Sequence, residues 1–357
     1  MDSAAKWNPL TDWRHAEIPW IRVKISRENL GRFTKRSNVK GLLQACGFLL
    51  LVGATGCLSY YAFSRKYWVL LAFCLYVHGT MYSMFGAALH ELSHNTVFAS
   101  RALNIVMTTL FGLLYWPKNP HFYRSSHQKY HHRYTLYQGS DGEDAPNYVE
   151  LKPLFVFGLF AYLIHPKSLV QNLWRLFSLT PLSKGWRGRG FKFDTWERFV
   201  WNNASAAEKR QIRRHGVASL VVHAVFVAAS ISLGSWFVPV LVTLAPFYGV
   251  AFLDFFSGIH QHAACEPNNP DFRICCADAI VDPLTSFLYW HMEYHIEHHM
   301  FAAIPCYNLK AFTKFVADQL PPMTPAVPRV IELDRVCRQK YGSYKAWRDG
   351  FGKYKGF

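Results

Sequence analysis

The stretch that decides the fold reads Trp290-His-Met-Glu-Tyr-His-Ile-Glu-His-His-Met-Phe301, and it holds four histidines: His291, His295, His298 and His299. On a helix, residues four apart share a face and a residue three apart lies beside them, so His295, His298 and His299 can converge. Imidazole is a common ligand for transition metals. The stretch therefore predicts a metal site.

Two more histidine groups precede this stretch: His90 and His94 in HELSH, and His127, His131 and His132 in HQKYHH. Structural zinc takes about four ligands and catalytic zinc about three from the protein, so the clustered imidazoles exceed the need of one ion. The surplus predicts two metal ions. In an α-helix, His127 and His131 would share a face and His132 would be rotated by about 100°, so the adjacent pair could serve different ions.

Long apolar runs predict a membrane protein. Of the 357 residues, 51% are hydrophobic and 17% aromatic. At ~1.5 Å per residue, an uncharged run of about 20 residues crosses a ~30 Å hydrocarbon layer. We expect four transmembrane helices in two hairpins, over residues 41–63, 67–89, 216–233 and 236–253. Two shorter apolar runs, 103–116 and 151–164, suit re-entrant or surface-lying helices.

The spans place the three histidine groups on one side of the membrane, because two spans precede the first group and two more separate the second from the third. The first forty residues carry nine Lys or Arg, whereas the tip of the first hairpin carries only Arg65 and Lys66. The positive-inside rule then puts the histidines and both termini in the cytoplasm. We expect an all-α polytopic membrane protein whose cytosolic helical cap holds a di-metal site.

Charge and cysteine content argue against a nucleic-acid-binding protein and against a disulfide-stabilised one. The net charge is +16, but basic residues beside apolar spans are typical of the cytoplasmic membrane face, so no nucleic-acid partner is expected. The eight cysteines form no CxxC pair, which argues against a disulfide framework. The predicted domains are a basic leader over 1–40, a membrane domain over 41–320 and a basic tail over 321–357. The leader is either amphipathic, with Trp7, Trp13, Trp20 and Ile21 at the headgroup level, or a loosely ordered tail.

The three groups, HxxxH, HxxxHH and HxxHH between apolar spans, resemble the histidine boxes of the integral-membrane fatty-acid desaturase and hydroxylase superfamily. The resemblance covers residues 90–309 and includes the run from Phe287 to Phe301, followed by Ile304-Pro and Tyr307-Asn-Leu. Two residues depart from the family pattern. Ala302 stands where proline is common, and His291 stands where asparagine is expected in the closest subgroup.

The resemblance implies a di-iron enzyme that uses O2 as co-substrate and oxidises a C–H bond of a fatty acid or related alkyl-chain lipid. It implies desaturation first, with hydroxylation or oxidative decarboxylation to a terminal alkene as alternatives. A histidine after the last span completes the metal ligands in this family, and the pattern favours His262 over His260. The ligands would then be His90, His94, His127, His131, His132, His262, His295, His298 and His299.

Several neighbouring residues are candidates for supporting roles. The carboxylates of Glu91, Glu293, Glu297 and Asp254 could accept the second ring N–H of a ligand histidine. His291 and Glu293 could modulate the reaction, His291 as an added ligand or a proton donor. No flavin, iron–sulfur or haem pattern is visible, so electrons would come from an external donor such as a ferredoxin-like protein.

Two other interpretations compete with this one. HELSH is also a literal HExxH, in which Glu91 would be the base of a membrane zinc protease; that leaves the two His-His pairs unexplained. A histidine-rich metal carrier would be expected to have its ligands inside the spans, whereas these histidines lie at the ends of the spans and beyond.

Two further histidines, His78 and His223, lie in the middle of predicted spans. Each either marks a functional site or is a neutral ring bonded to a neighbouring helix, and we favour the second interpretation.

Overall fold

The computed structural model describes residues 17–137, 141, 147–153, 195–249 and 252–351. Almost all regular structure there is helical. In chain order the α-helices are α1 Arg27–Phe33, α2 Asn38–Ser64, α3 Trp68–Ser83, α4 Phe85–Ser93, α5 Arg101–Leu114, α6 Pro120–Ser126, α7 His132–Tyr134, α8 Thr195–Asn203, α9 Ala206–Ser232, α10 Val238–Val242, α11 Ala245–Tyr248, α12 Phe252–Gly258, α13 Phe272–Cys275, α14 Pro283–Leu288, α15 His295–Met300, α16 Cys306–Phe315, α17 Ala326–Tyr341 and α18 Tyr344–Phe351.

Short elements connect some of these helices. A π-helical turn over His127–His131 joins α6 to α7, and 3-10 turns cover Ile259–Gln261 and Ala317–Gln319. Two strands of two residues, β1 Ala279–Ile280 and β2 Thr324–Pro325, pair in parallel, with Ala279 opposite Thr324.

Three helical stretches of the described chain are long and apolar enough to cross a membrane: Asn38–Ser64, Trp68–Ser93 and Ala206–Ser232. The first two form the predicted hairpin, and Lys66 in its turn has a left-handed backbone with φ of 57°. Large apolar side chains on these helices point outward, since Val69 is 88% exposed, Leu50 72% and Val225 62%. Such surfaces are costly in water and suit contact with lipid.

The second predicted hairpin differs from the prediction at both helices. Its first helix, α9, begins at Ala206 rather than at 216, because Ser205 and Glu208 form a capping box that starts the helix in polar sequence. Residues 236–253 are not one straight helix. They contain α10 and α11, Pro246 lacks an N–H for a helical bond, and Gly249 is non-helical with ψ of 124°. The predicted count of four spans is therefore not confirmed.

The two mid-span histidines bond this interrupted segment to the long helices. His78 Nε2 donates to the carbonyl of Leu241 at 2.8 Å. His223 Nδ1 lies 3.0 Å from the hydroxyl of Thr243, and its Nε2 donates to the carbonyl of Leu113 at 2.8 Å. Both rings are therefore bonded to neighbouring elements, as favoured from the sequence.

The predicted surface helices and terminal segments are described only in part. The run 103–116 corresponds to α5, whereas most of 151–164 lies outside the described residues, as do 1–16 and 352–357. In the described part of the leader, Trp20 stacks on Phe272 with ring centroids 4.3 Å apart. Arg22 donates to the carbonyl of Met300 at 2.8 Å. This segment therefore packs across the end of α15.

Two apolar clusters hold the third histidine box. Trp290 is fully buried and packs edge-on against Phe48 of α2 and Phe111 of α5. On the other side, Ile296 of α15 is buried in a cluster that includes Phe272 and Phe312. The histidines of α15 are thereby fixed between the membrane helices and the helices that follow them.

Candidate metal centre

All nine predicted ligand histidines come together in two groups. Within each group the ring nitrogens that could bind a metal all lie within 4.8 Å of one another. Seven of the rings are buried, and His94 and His132 are partly buried. The first group is His90, His94, His127, His132 and His298; the second is His131, His262, His295 and His299.

The two adjacent histidine pairs divide between the groups. His298 belongs to the first group, whereas His295 and His299 belong to the second, so the three histidines of α15 do not all converge as predicted. In the second box, His127 shares a group with His132 and not with His131. The cause is the π-helical turn, in which the N–H of His132 bonds to the carbonyl of His127. A π turn holds one more residue than an α turn, so residues five apart lie over one another.

The two groups adjoin. The rings of His132 and His299, one from each group, stack with centroids 4.4 Å apart and an interplanar angle of 23°. His127 and His131 are similarly close, with centroids 4.9 Å apart. Two metal ions held by these groups would therefore be neighbours.

Hydrogen bonds fix the tautomer of two ligands in the second group. His262 Nδ1 donates to the carbonyl of Cys275 at 3.0 Å. His299 Nδ1 lies 3.0 Å from the hydroxyl of Thr135, and that hydroxyl donates to the carbonyl of His131 at 2.8 Å. The hydroxyl has one hydrogen and has used it, so it accepts from His299. In both rings Nε2 keeps its lone pair for a metal.

The facing nitrogens fit a cation. His90 Nε2 lies 2.7 Å from His298 Nε2, and His262 Nε2 lies 3.0 Å from His295 Nε2. At such distances either one ring donates an N–H to the other or a cation lies between two lone pairs. His299 Nε2 is buried and has no hydrogen-bond partner among the described residues. A metal ion would satisfy these atoms.

The protonation state also suits a metal. Burial first, and then the charge of Arg124, lowers the pKa of His94 to about 3. Burial likewise lowers the pKa of His299 well below its usual value. These imidazoles are neutral at neutral pH, which is the form that binds metals.

A second layer of contacts orients the rings of the site. The carboxylate of Asp141 accepts from His131 Nδ1 at 2.8 Å, with both side chains almost fully buried. A carboxyl oxygen of Glu91 lies 3.2 Å from His298 Nδ1 without the geometry of a hydrogen bond. A hydrogen-bonded carboxylate such as Asp141 keeps a metal-binding nitrogen turned toward the ion and makes it more basic.

Of the four predicted carboxylate partners, Glu91 alone lies beside a ligand ring in the described residues. Glu293 accepts from the hydroxyl of Ser286. Glu297 faces Asp278, and burial together with the Glu297 carboxyl raises the pKa of Asp278 well above its usual value. The side chain of Asp254 lies outside the description. Glu293 thus contacts a residue of α14 and Glu297 contacts Asp278, and no hydrogen bond joins either acid to a candidate ligand ring among the described residues.

His291 and His260 belong to neither group. His291 has a left-handed backbone with φ of 59°, and its Nδ1 lies 2.9 Å from the Ser286 hydroxyl. Since that hydroxyl donates to Glu293, it accepts from His291. His260 is fully buried, but among the described residues it is the ring of His262 that joins the second group.

A surface cavity in the described part of the chain reaches the first group. This cavity of about 330 Å³ is lined by His94 and His132, together with Arg36 and Gln128. Those two rings are the partly buried members of the site. All four members of the second group are buried. A molecule that enters through this cavity therefore reaches the first group before the second.

Three supporting groups are absent from the sequence-based prediction: the Thr135 hydroxyl, the Asp141 carboxylate and the Cys275 carbonyl. Thr135 and His299 are 164 residues apart, so no local spacing connects them. Asp141 follows His131 by ten residues, but no helical or strand periodicity brings those positions together. A backbone carbonyl has no side-chain signal at all.

Comparison with known proteins agrees with this geometry. The sequence profile described as fatty acid desaturase matches residues 66–329, a range that contains all nine histidines. The chain is also similar to the Delta(6)-fatty-acid desaturase fat-3 of Caenorhabditis elegans, with 24% identity over 329 residues, covering 85% of this chain and 71% of the relative. Because the family profile spans most of the chain, this protein belongs to the fatty acid desaturase family, whose members are membrane oxidoreductases.

Proposed function

We propose that this protein is an O2-dependent di-iron desaturase that introduces a double bond into the fatty-acyl chain of a lipid. The observation that carries the proposal is the pair of adjoining all-histidine groups beside the ends of apolar helices. Nine imidazoles are more than one ion can use, and their division into five and four provides for two ions.

Imidazole alone does not select the metal, because it binds iron, zinc, copper and nickel. Family membership supports iron. When bound, a di-iron centre supplies the chemistry of oxygen-dependent oxidation of an unactivated C–H bond. The chain's own residues hold the neutral rings with Nε2 inward, through the hydroxyl of Thr135 and the carboxylate of Asp141, and they exclude water by burying seven of the nine ligands.

Family membership and the similarity to a nematode protein named as a fatty-acid desaturase support desaturation over hydroxylation or decarboxylation. We do not assign this protein the double-bond position in the relative's name, because the two sequences are only 24% identical. The predicted ligand role of His291 loses support, because that ring bonds to Ser286 and lies in neither group. We propose further that the site and both termini face the cytoplasm and that an external small redox protein supplies the electrons.

The protease interpretation of HELSH is weaker than this proposal. A zinc-hydrolase base must face the water bound to the metal. Glu91 is fully buried and lies beside Nδ1 of His298, whereas Nε2 of that ring faces His90. Glu91 therefore lies on the side of the His298 ring away from the clustered nitrogens that would bind a metal.

The deciding experiment is product analysis by mass spectrometry from cells that express the protein and are fed deuterium-labelled fatty acid. We expect a labelled chain with one internal double bond, and no such product from the His298→Ala variant. A hydroxylated or chain-shortened product would replace desaturation by one of its alternatives. One zinc per chain with proteolysis that survives loss of both His298 and His299 would instead establish the protease.

A further inference from the structure

A second cavity, of about 530 Å³, lies between the end of α4 and helices α5, α6 and α9. Three arginines line it: Arg36, Arg101 and Arg124. Its described lining contains no Asp or Glu. Like charges gathered in a cleft with low-dielectric walls concentrate the potential there. The cavity is therefore suited to an anion.

The arginines are available to a ligand. Arg36 and Arg101 are exposed at the cavity. In the amide orientation that satisfies both groups, the Asn95 oxygen accepts from both terminal nitrogens of Arg124 at 2.8 Å, which holds this guanidinium at the cavity wall. The neighbouring acid Glu208 lies 2.6 Å from Lys129 and caps α9. Glu208 also interacts electrostatically with Arg124, but it does not line the cavity.

The cavity also has an apolar margin. Ile105 of α5 lines it and is 53% exposed. The exposed surface continues along the same helix through Val106, which is 56% exposed, and Leu110, which is 37% exposed. A ligand that contacts both the arginines and this surface has an anionic head and an apolar chain.

We propose that this cavity binds the phosphate of an anionic membrane phospholipid, with the acyl chains along the exposed face of α5. A phosphate offers several acceptor oxygens and matches the fork of a guanidinium. The cavity is far larger than a carboxylate group needs, which favours a phospholipid headgroup over the carboxylate of a free fatty acid. The volume of about 530 Å³ accommodates a headgroup, while the chains remain in the bilayer.

Binding at this cavity requires neither metal nor turnover, so it is separable from the proposed function. The two sites are nevertheless adjacent, because Ser93 and Asn95 of the cavity wall flank His94 of the first histidine group.

The test is native mass spectrometry of the purified full-length protein with phosphatidylglycerol and phosphatidylcholine of identical acyl chains. We expect tighter binding of phosphatidylglycerol. The Arg36→Gln/Arg101→Gln variant should weaken that binding about tenfold, since charge-assisted hydrogen bonds are lost. The matched control is Arg27→Gln/Arg335→Gln, which removes two exposed arginines away from the cavity. It should keep the affinity of the unmodified protein.

Glycerol 1-phosphate separates the two sources of phosphate. If the site holds a lipid, this soluble headgroup competes weakly, because it has no chains to lie on α5. Equally tight binding of the soluble phosphate would overturn the assignment to lipid. Equal losses in the two double variants would show only the general attraction of a basic surface and would overturn the site. No preference for phosphatidylglycerol would show that the arginines do not select an anionic lipid, and it would overturn the site as well.

Discussion

The hydroxyl of Thr135 accepts a hydrogen bond from Nδ1 of His299 at 3.0 Å while it donates to the carbonyl of His131 at 2.8 Å. One buried side chain thus links the second and third histidine boxes. It also determines which nitrogen of His299 is free for a metal. The geometry of the second group depends on this contact, although Thr135 is not itself a ligand.

Thr135→Val should therefore weaken metal binding. Valine has nearly the same shape but cannot accept from His299, so the ring loses its preferred tautomer. Loss of such a partner typically lowers metal affinity by about 10–100-fold. The measurement is metal titration of the purified apoprotein. Thr135→Ser keeps the hydroxyl and should bind metal nearly as the unmodified protein does; an equal loss in both variants would contradict the role of this bond.

Asp141→Asn should likewise lower metal affinity, by at least about tenfold. Asparagine keeps the size of the side chain but removes the charge that makes His131 a more basic ligand. Asp318→Asn is the matched control, because that acid is exposed and far from the histidine groups in the chain. Unchanged metal binding in Asp141→Asn would show that the carboxylate only supports the local loop.

His262→Ala and His260→Ala should separate the two candidates for the ninth ligand. His262 belongs to a group of four, so its loss leaves three imidazoles and should reduce the metal content of the purified protein and abolish turnover. His260→Ala should keep its metal, even though removal of a buried ring costs stability through the cavity it leaves. Similar metal loss in the two variants would contradict the assignment of His262.

His291→Asn should fold well and keep its metal. Asparagine tolerates the left-handed backbone that this position requires, and the ring belongs to neither histidine group. Metal analysis and thermal unfolding measure both effects. Product analysis of the same variant tests whether His291 influences the reaction outcome. Loss of about half the metal would show that His291 is a ligand after all.

Electron delivery should depend on ionic strength. The chain has 39 Lys and Arg against 23 Asp and Glu, and a basic surface steers an acidic redox protein over distances comparable to the Debye length. Turnover with a separate reductase and donor protein should fall between low and moderate salt. Salt-independent turnover under donor-limited conditions would exclude steering as a limiting factor.

The sequence alone determined the candidate ligands and the first hairpin. Histidine spacing is a local property, because residues three and four apart meet on any helix. Span length follows from the length of an apolar run. The predicted span 67–89 and the observed Trp68–Ser93 therefore overlap closely. All nine predicted ligands meet in space, while their binding of iron stays a prediction.

Tertiary structure decided how the ligands divide and what orients them. The π turn at His127–His131 moves His132 into the group of His127, and nothing in the spacing predicts that turn. The interrupted helix over 236–253 and the partners Thr135 and Asp141 also depend on the folded chain. The physical reason is range: hydropathy and helical period act between near neighbours, whereas the hydrogen bond that selects a tautomer joins residues that only folding brings together.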